Sequence, residues 1–124
     1  MEGSYNHADG ESAHAEGIYT NANGEYSHAE GLETNVPLSA IAAHAEGGNT
    51  KAAGAYSHAE GNTTKAIGDK SHAEGYSTEA NGVAAHAEGQ STHATGDYSH
   101  AEGTKTNAVG MNSHAEGHET KTAG

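Results

Sequence analysis

The chain is 124 residues long, carries a formal net charge of −12 and contains no cysteine. One domain fits that length, the charge opposes binding to nucleic acid or an anionic membrane surface, and no disulfide can staple a small core. Only 32% of residues are hydrophobic, mostly alanine, with no Phe and no Trp, so the chain reads as disordered unless repetition orders it.

Repetition begins almost at once. An imperfect copy, His7-Ala8-Asp9-Gly10, precedes eight copies of His-Ala-Glu-Gly starting at His14, His28, His44, His58, His72, His86, His100 and His114. Successive copies are 14 residues apart, except His28 to His44, which are 16 apart. Between them lies a looser unit, such as Thr64-Lys65-Ala66-Ile67-Gly68 or Thr78-Glu79-Ala80-Asn81-Gly82. Both units share a small residue, Ala and Gly at the same offsets, so the basic period is seven and the full period fourteen.

A seven-residue period invites a coiled coil, but a glycine in every second turn would cost a helix about 1 kcal/mol each time. The recurring Ala and Gly lie two apart, which is strand spacing. Ser27, Ala29 and Gly31 then share the inner side of a strand, and His28 and Glu30 the outer side. The pair after each glycine, Glu25-Tyr26 or Asp69-Lys70, makes the corner, with glycine supplying the unusual dihedrals. Each fourteen residues should form one coil of a parallel β-solenoid with two short strands. A core of alanine is thin: about 0.8 kcal/mol per buried methylene-sized group barely offsets ordering the backbone at about 1–2 kcal/mol per residue. Some outer face must therefore be buried by association.

Internal repetition indicates which face. The outward residues of the second strand vary freely (Asn21, Lys51, Lys65, Glu79, His93, Asn107), as a solvated face does. Those of the first strand are always His and Glu. The expected interface is therefore His14, Glu16, His28, Glu30, His44, Glu46, His58, Glu60, His72, Glu74, His86, Glu88, His100, Glu102, His114 and Glu116. Imidazole and carboxylate columns pair with each other in the structural reading, and suit Zn²⁺ or Ni²⁺ in the metal-array alternative. Raised imidazole pKa values would weaken assembly as pH rises; neutral buried imidazoles would make acid split it. His93 and His118 stand outside the columns, as a solvated residue and a turn residue. Tyr26, Tyr56 and Tyr98 each precede a Ser-His-Ala-Glu-Gly and should stack along one edge.

The irregular stretch 36–41 lacks its glycine and gains two residues. Pro37 cannot donate to a ladder, so a bulged corner or short loop is expected, with Val36, Pro37, Leu38 and Ile41 as a candidate apolar contact. Otherwise residues 1–124 form one repeat domain. No enzyme is expected, because a catalytic constellation is single and pocketed, whereas this one is copied along a rod with no concavity. No glycine run has the build of a phosphate loop, and no cofactor or resident metal is expected. No stretch approaches the ~18 apolar residues of a membrane span, and none resembles a signal peptide, so no membrane partner is expected.

The small-x-Ala-x-Gly pattern, paired into fourteen-residue coils, resembles the head repeats of trimeric autotransporter adhesins. Its Ser-His-Ala-Glu-Gly variant is similar to tracts in phage tail-fibre and neck-appendage proteins and in bacterial surface proteins. The likeness spans residues 3 to 124 and recurs in every coil. It implies an all-β, left-handed parallel β-roll with 14 residues per coil and three chains around a threefold axis. It also implies a rigid adhesion or fibre segment outside the cell, on its surface or on a virion, whose partner is a host matrix or bacterial surface ligand. The adhesin heads place aliphatic residues where this chain has His28 and Glu30, so a polar trimer seam is expected here. The glycine register runs from Gly3 to Gly124, which suits a module of a longer fibre or end-to-end stacking. An ice- or surface-binding solenoid is a further alternative, opposed by the inward placement expected for Thr64, Thr78, Thr92 and Thr106.

Overall fold

A computed structural model describes residues 2–123; Met1 and Gly124 lie outside the described residues. Two parallel sheets run the length of a β-solenoid. One has nine strands: Glu2–Ser4, then eight five-residue strands from His14–Ile18 to His114–His118. The other has eight two-residue strands from Asn21–Ala22 to Lys121–Thr122. Each coil thus contributes one long and one short strand, and no described segment is helical. The register is the repeat itself: His58 lies beside His72, Ala59 beside Ala73, Glu60 beside Glu74 and Gly61 beside Gly75.

The interior is as narrow as the composition requires. Two columns of fully buried small residues face each other, Ala15 to Ala115 on the long strands and Ala22, Val36 and Ala52 to Ala108 on the short ones. Serines fill part of the remaining space: the hydroxyls of Ser27, Ser57, Ser71 and Ser99 donate at 2.6–2.7 Å to the carbonyls of Gly24, Gly54, Gly68 and Gly96. A threonine column, Thr20, Thr34, Thr50, Thr64, Thr78, Thr92 and Thr106, is also buried, and its hydroxyls lack hydrogen-bond partners. At the start of the rod Asn6 stands in for ladder backbone, donating to Gly17 O at 2.9 Å and accepting from the Thr20 N–H at 3.1 Å.

The corners correct one expectation. At the corners after Gly24, Gly54 and Gly68 the positive φ falls not on the glycine but on the second residue after it, with φ of 58–60° at Tyr26, Tyr56 and Lys70; at the corners after His-Ala-Glu-Gly the glycine has it too, as at Gly31 (117°). An L-residue there costs about 1–2 kcal/mol, and the neighbouring coil compensates. The Tyr56 N–H donates to Ile41 O and the Lys70 N–H to Ala55 O, both at 2.8 Å, so the ladder continues around the bend. At two corners an aspartate joins in: Asp69 and Asp97 accept from the Ala55 and Val83 N–H groups at 3.0 and 2.8 Å.

The two glycines of a coil also differ, although the repeat gives them the same offset. Both are needed for space, because a Cβ on Gly68 would overlap the carbonyl of Gly82 and one on Gly31 the carbonyl of Gly47. The glycine of His-Ala-Glu-Gly is not inward-facing: Gly31, Gly61 and Gly75 are exposed, with φ of 117°, 111° and 110°. The strand turns there, and the backbone itself becomes surface. The only internal coil with no glycine at the Gly68 position is the one with two added residues. There Ala40 is buried, its N–H donates to Pro37 O at 3.0 Å, and Leu38–Ser39 bulge outward as a turn.

Candidate functional site

Pairing the long strands in register converts the repeated motif into columns. Among them, His44 to His114 stack ring on ring, with centroids 4.8–4.9 Å apart and planes within 4–10°. His14 and His28 continue the column with more tilted rings, 55° at the first step and 25° at the second. Ladder spacing sets the separation, since neighbouring strands lie about 4.7–4.9 Å apart.

Beside the imidazoles runs the carboxylate column. The Nε2 atoms of His58, His72, His100 and His114 each face two carboxylates, their own coil's and the preceding one's. His72 Nε2 lies 3.4 Å from Glu60 Oε1 and 3.8 Å from Glu74 Oε2; His58 Nε2 lies 3.5 Å from Glu46 Oε1 and 4.0 Å from Glu60 Oε2. These side chains are about one-third exposed, 36% for His72 and 33% for Glu74. The Nε2 atoms themselves are shielded, and those of His28, His44, His58, His72 and His86 lack a well-formed hydrogen bond.

Crowding sets the protonation. Burial holds the imidazoles of His44, His58 and His86 below the usual histidine value, and the charge of neighbouring imidazoles adds to it. Carboxylates one coil apart do not all ionise. Glu46 and Glu74 are pushed up to about 7, first by hydrogen bonding to Glu60. Glu60 is held down to about 2 by those same bonds. Glu102 is raised, and Glu30 and Glu88 are lowered, for the same reason. From Glu30 to Glu102 the carboxyls are thus shifted alternately down and up. Of the two pH behaviours the sequence left open, the direction at His44, His58 and His86 is the one toward neutral imidazole.

The rod does have a concavity, contrary to expectation. An open trough of about 840 Å³ runs along Glu16, Glu30, Glu46 and Glu60, floored by Gly3, Gly17, Gly31, Gly47 and Gly61. A second, of about 680 Å³, follows Glu88, Glu102 and Glu116 over Gly89, Gly103 and Gly117. The signal was present in the sequence as the glycine after every glutamate. Strict alternation turned that glycine inward, whereas its positive φ turns it out.

The other sequence candidates separate. Val36 is fully buried in the alanine column, which leaves Leu38 (77% exposed) and Ile41 (39%) as the apolar surface of the irregular loop. Tyr26, Tyr56 and Tyr98 are exposed but do not stack, because coils carrying Ala42, Lys70 and Ala84 at that corner separate them. The stacked tyrosines are Tyr5 and Tyr19, on the opposite corner, with centroids 4.9 Å apart. His93 lies on a short strand between Glu79 and Asn107; His118 ends a long strand rather than occupying a turn. No protein-family model matches the sequence, and no curated protein matches it.

Proposed function

We propose that the chain is a rigid, non-enzymatic segment of a fibre or adhesin head, assembled as a homotrimer of left-handed β-rolls through its His/Glu face. The observation that carries this reading is the contrast in outward residues: His and Glu recur in every full coil on the long strands, while the short strands accept Asn, Lys, Glu or His. An interior of alanine, serine and threonine makes the same demand of both sheets, so the constancy answers to something outside the coil.

Three features support burial of that face. The imidazole Nε2 atoms are shielded yet poorly hydrogen-bonded, which is costly unless a further partner completes them. The glycine floor of the trough admits close approach by another backbone. The core is too thin to persist readily alone. In this arrangement the ladders give stiffness, and threefold symmetry multiplies weak contacts with a repeated host matrix or bacterial surface ligand into avidity. Leu38 and Ile41 are the apolar side chains the irregular loop offers such a ligand. The buried threonines leave an ice-binding reading without its ordered hydroxyl surface.

Sedimentation equilibrium in dilute buffer at neutral pH tests the assembly. A particle of three times the 12.5 kDa chain mass is expected. A folded species at the chain mass, with the His/Glu face in solvent, would end the proposal.

A further inference from the structure

The distances along the columns suit a metal ion better than a hydrogen bond. A good hydrogen bond to a carboxylate spans about 2.7–3.2 Å, whereas His72 Nε2 stands 3.4 and 3.8 Å from Glu60 and Glu74, and His100 Nε2 makes only a long 3.4 Å hydrogen bond to Glu88 and stands 3.8 Å from Glu102. Ligands bound tetrahedrally at about 2.0–2.1 Å lie roughly 3.4 Å from one another. The sheet holds these groups near that separation, because coil spacing places imidazoles such as those of His72 and His100 between two carboxylates.

We propose that the His/Glu columns bind divalent transition-metal cations of the Zn²⁺ type, each held by three side chains from consecutive coils, with water completing the shell. Three trios sharing no residue are formed: His28, Glu30 and His44; Glu60, His72 and Glu74; Glu88, His100 and Glu102. Within each, one donor atom per residue lies within 4.8 Å of the others. The donor chemistry selects the ion. Imidazole nitrogen with carboxylate oxygen favours Zn²⁺, Ni²⁺ or Cu²⁺, while Mg²⁺ and Ca²⁺ prefer all-oxygen shells. The second observation pointing to a ligand is at the nitrogens. Nε2 of His28, His44 and His72 is withdrawn from solvent, without a hydrogen-bond partner, and faces the carboxylates. A cation there would satisfy that nitrogen and relieve the repulsion along the carboxylate row. The inference depends on the columns of a single chain, not on the trimer.

Isothermal titration of the full chain with Zn²⁺, after EDTA treatment and dialysis, tests it. About three or more ions per chain are expected, with no comparable uptake of Mg²⁺. The isosteric variant Glu60→Gln/Glu74→Gln should lose about one ion per chain and keep the circular dichroism of the parent. His93→Gln/His118→Gln, off the columns, should bind as the parent does. Co²⁺ should give the intense visible absorption of a four-coordinate site. Fewer than one ion per chain, losses confined to the off-column variant, or the weak spectrum of octahedral Co²⁺ would each overturn the proposal. Sedimentation of the same samples with and without EDTA keeps the two readings apart: a trimer that takes up no Zn²⁺ refutes only the metal, and a metal-loaded single chain refutes only the trimer.

Discussion

The two sheets are built on one interior and differ only outside it. Both place alanine against alanine in strict parallel register. The short-strand sheet nevertheless carries Asn35, Lys51, Lys65, Glu79 and His93 in successive coils, whereas the long-strand sheet carries His and Glu each time. The first sheet shows what the coil tolerates; the second keeps one pair of outward residues throughout. Ladder geometry then turns that repetition into columns, with rings stacked at 4.8 Å and a carboxyl such as Glu46 raised by its neighbours.

The largest effect should come from breaking what both sheets share. Gly68→Ala places a Cβ against the Gly82 carbonyl, where backbone must move, and is expected to cost more than about 3 kcal/mol, read as loss of a cooperative urea transition. Next, Ala73→Leu overfills the narrow interior and should cost about 1–3 kcal/mol, while Lys65→Thr, outward on the short strand, should change the urea midpoint little. Equal effects of these two would break the comparison.

A pH series sharpens it, because the shifted groups lie on the long-strand sheet alone. Below the ordinary carboxylate value of 4.5 the unfolded chain binds more protons at Glu30, Glu60 and Glu88, whose folded values are lowered, so stability falls as acid is added. Between 4.5 and 6.5 two contributions oppose. His44, His58 and His86, lowered in the fold, favour stability as pH rises, while Glu46, Glu74 and Glu102, raised in the fold, favour it as pH falls. A near-plateau is expected there, then a mild loss through about pH 7 as Glu46 and Glu74 ionise. Thermal melts from pH 3 to 8 would show this. A profile that survives His72→Gln/Glu74→Gln unchanged would place its origin elsewhere.

Smaller effects probe the seams. Thr78→Val removes a buried hydroxyl that has no partner and should be neutral or stabilise by up to about 1 kcal/mol. Ala84→Gly relieves a left-handed corner at φ 54° and should raise stability by about 0.5 kcal/mol, the strain relief being partly offset by chain entropy. Both are measurable as shifts of the urea midpoint.

By itself the sequence determined the parallel solenoid, the fourteen-residue coil, the alanine and threonine interior and the outward placement of His and Glu. Each of these follows from a two-residue alternation repeated without slippage, as His58 beside His72 illustrates. Only the tertiary structure decided the rest. Gly31 and Gly68 share an offset and both abut the next coil, yet one is exposed and the other buried, because a positive φ after Glu30 turns the strand where alternation alone does not. Tyr56 and Lys70 take the left-handed corner that glycine was expected to fill, because their N–H groups bond to the coil before. The trough and the alternately shifted carboxyls arise between coils, from groups in successive coils whose mutual distance no single repeat contains.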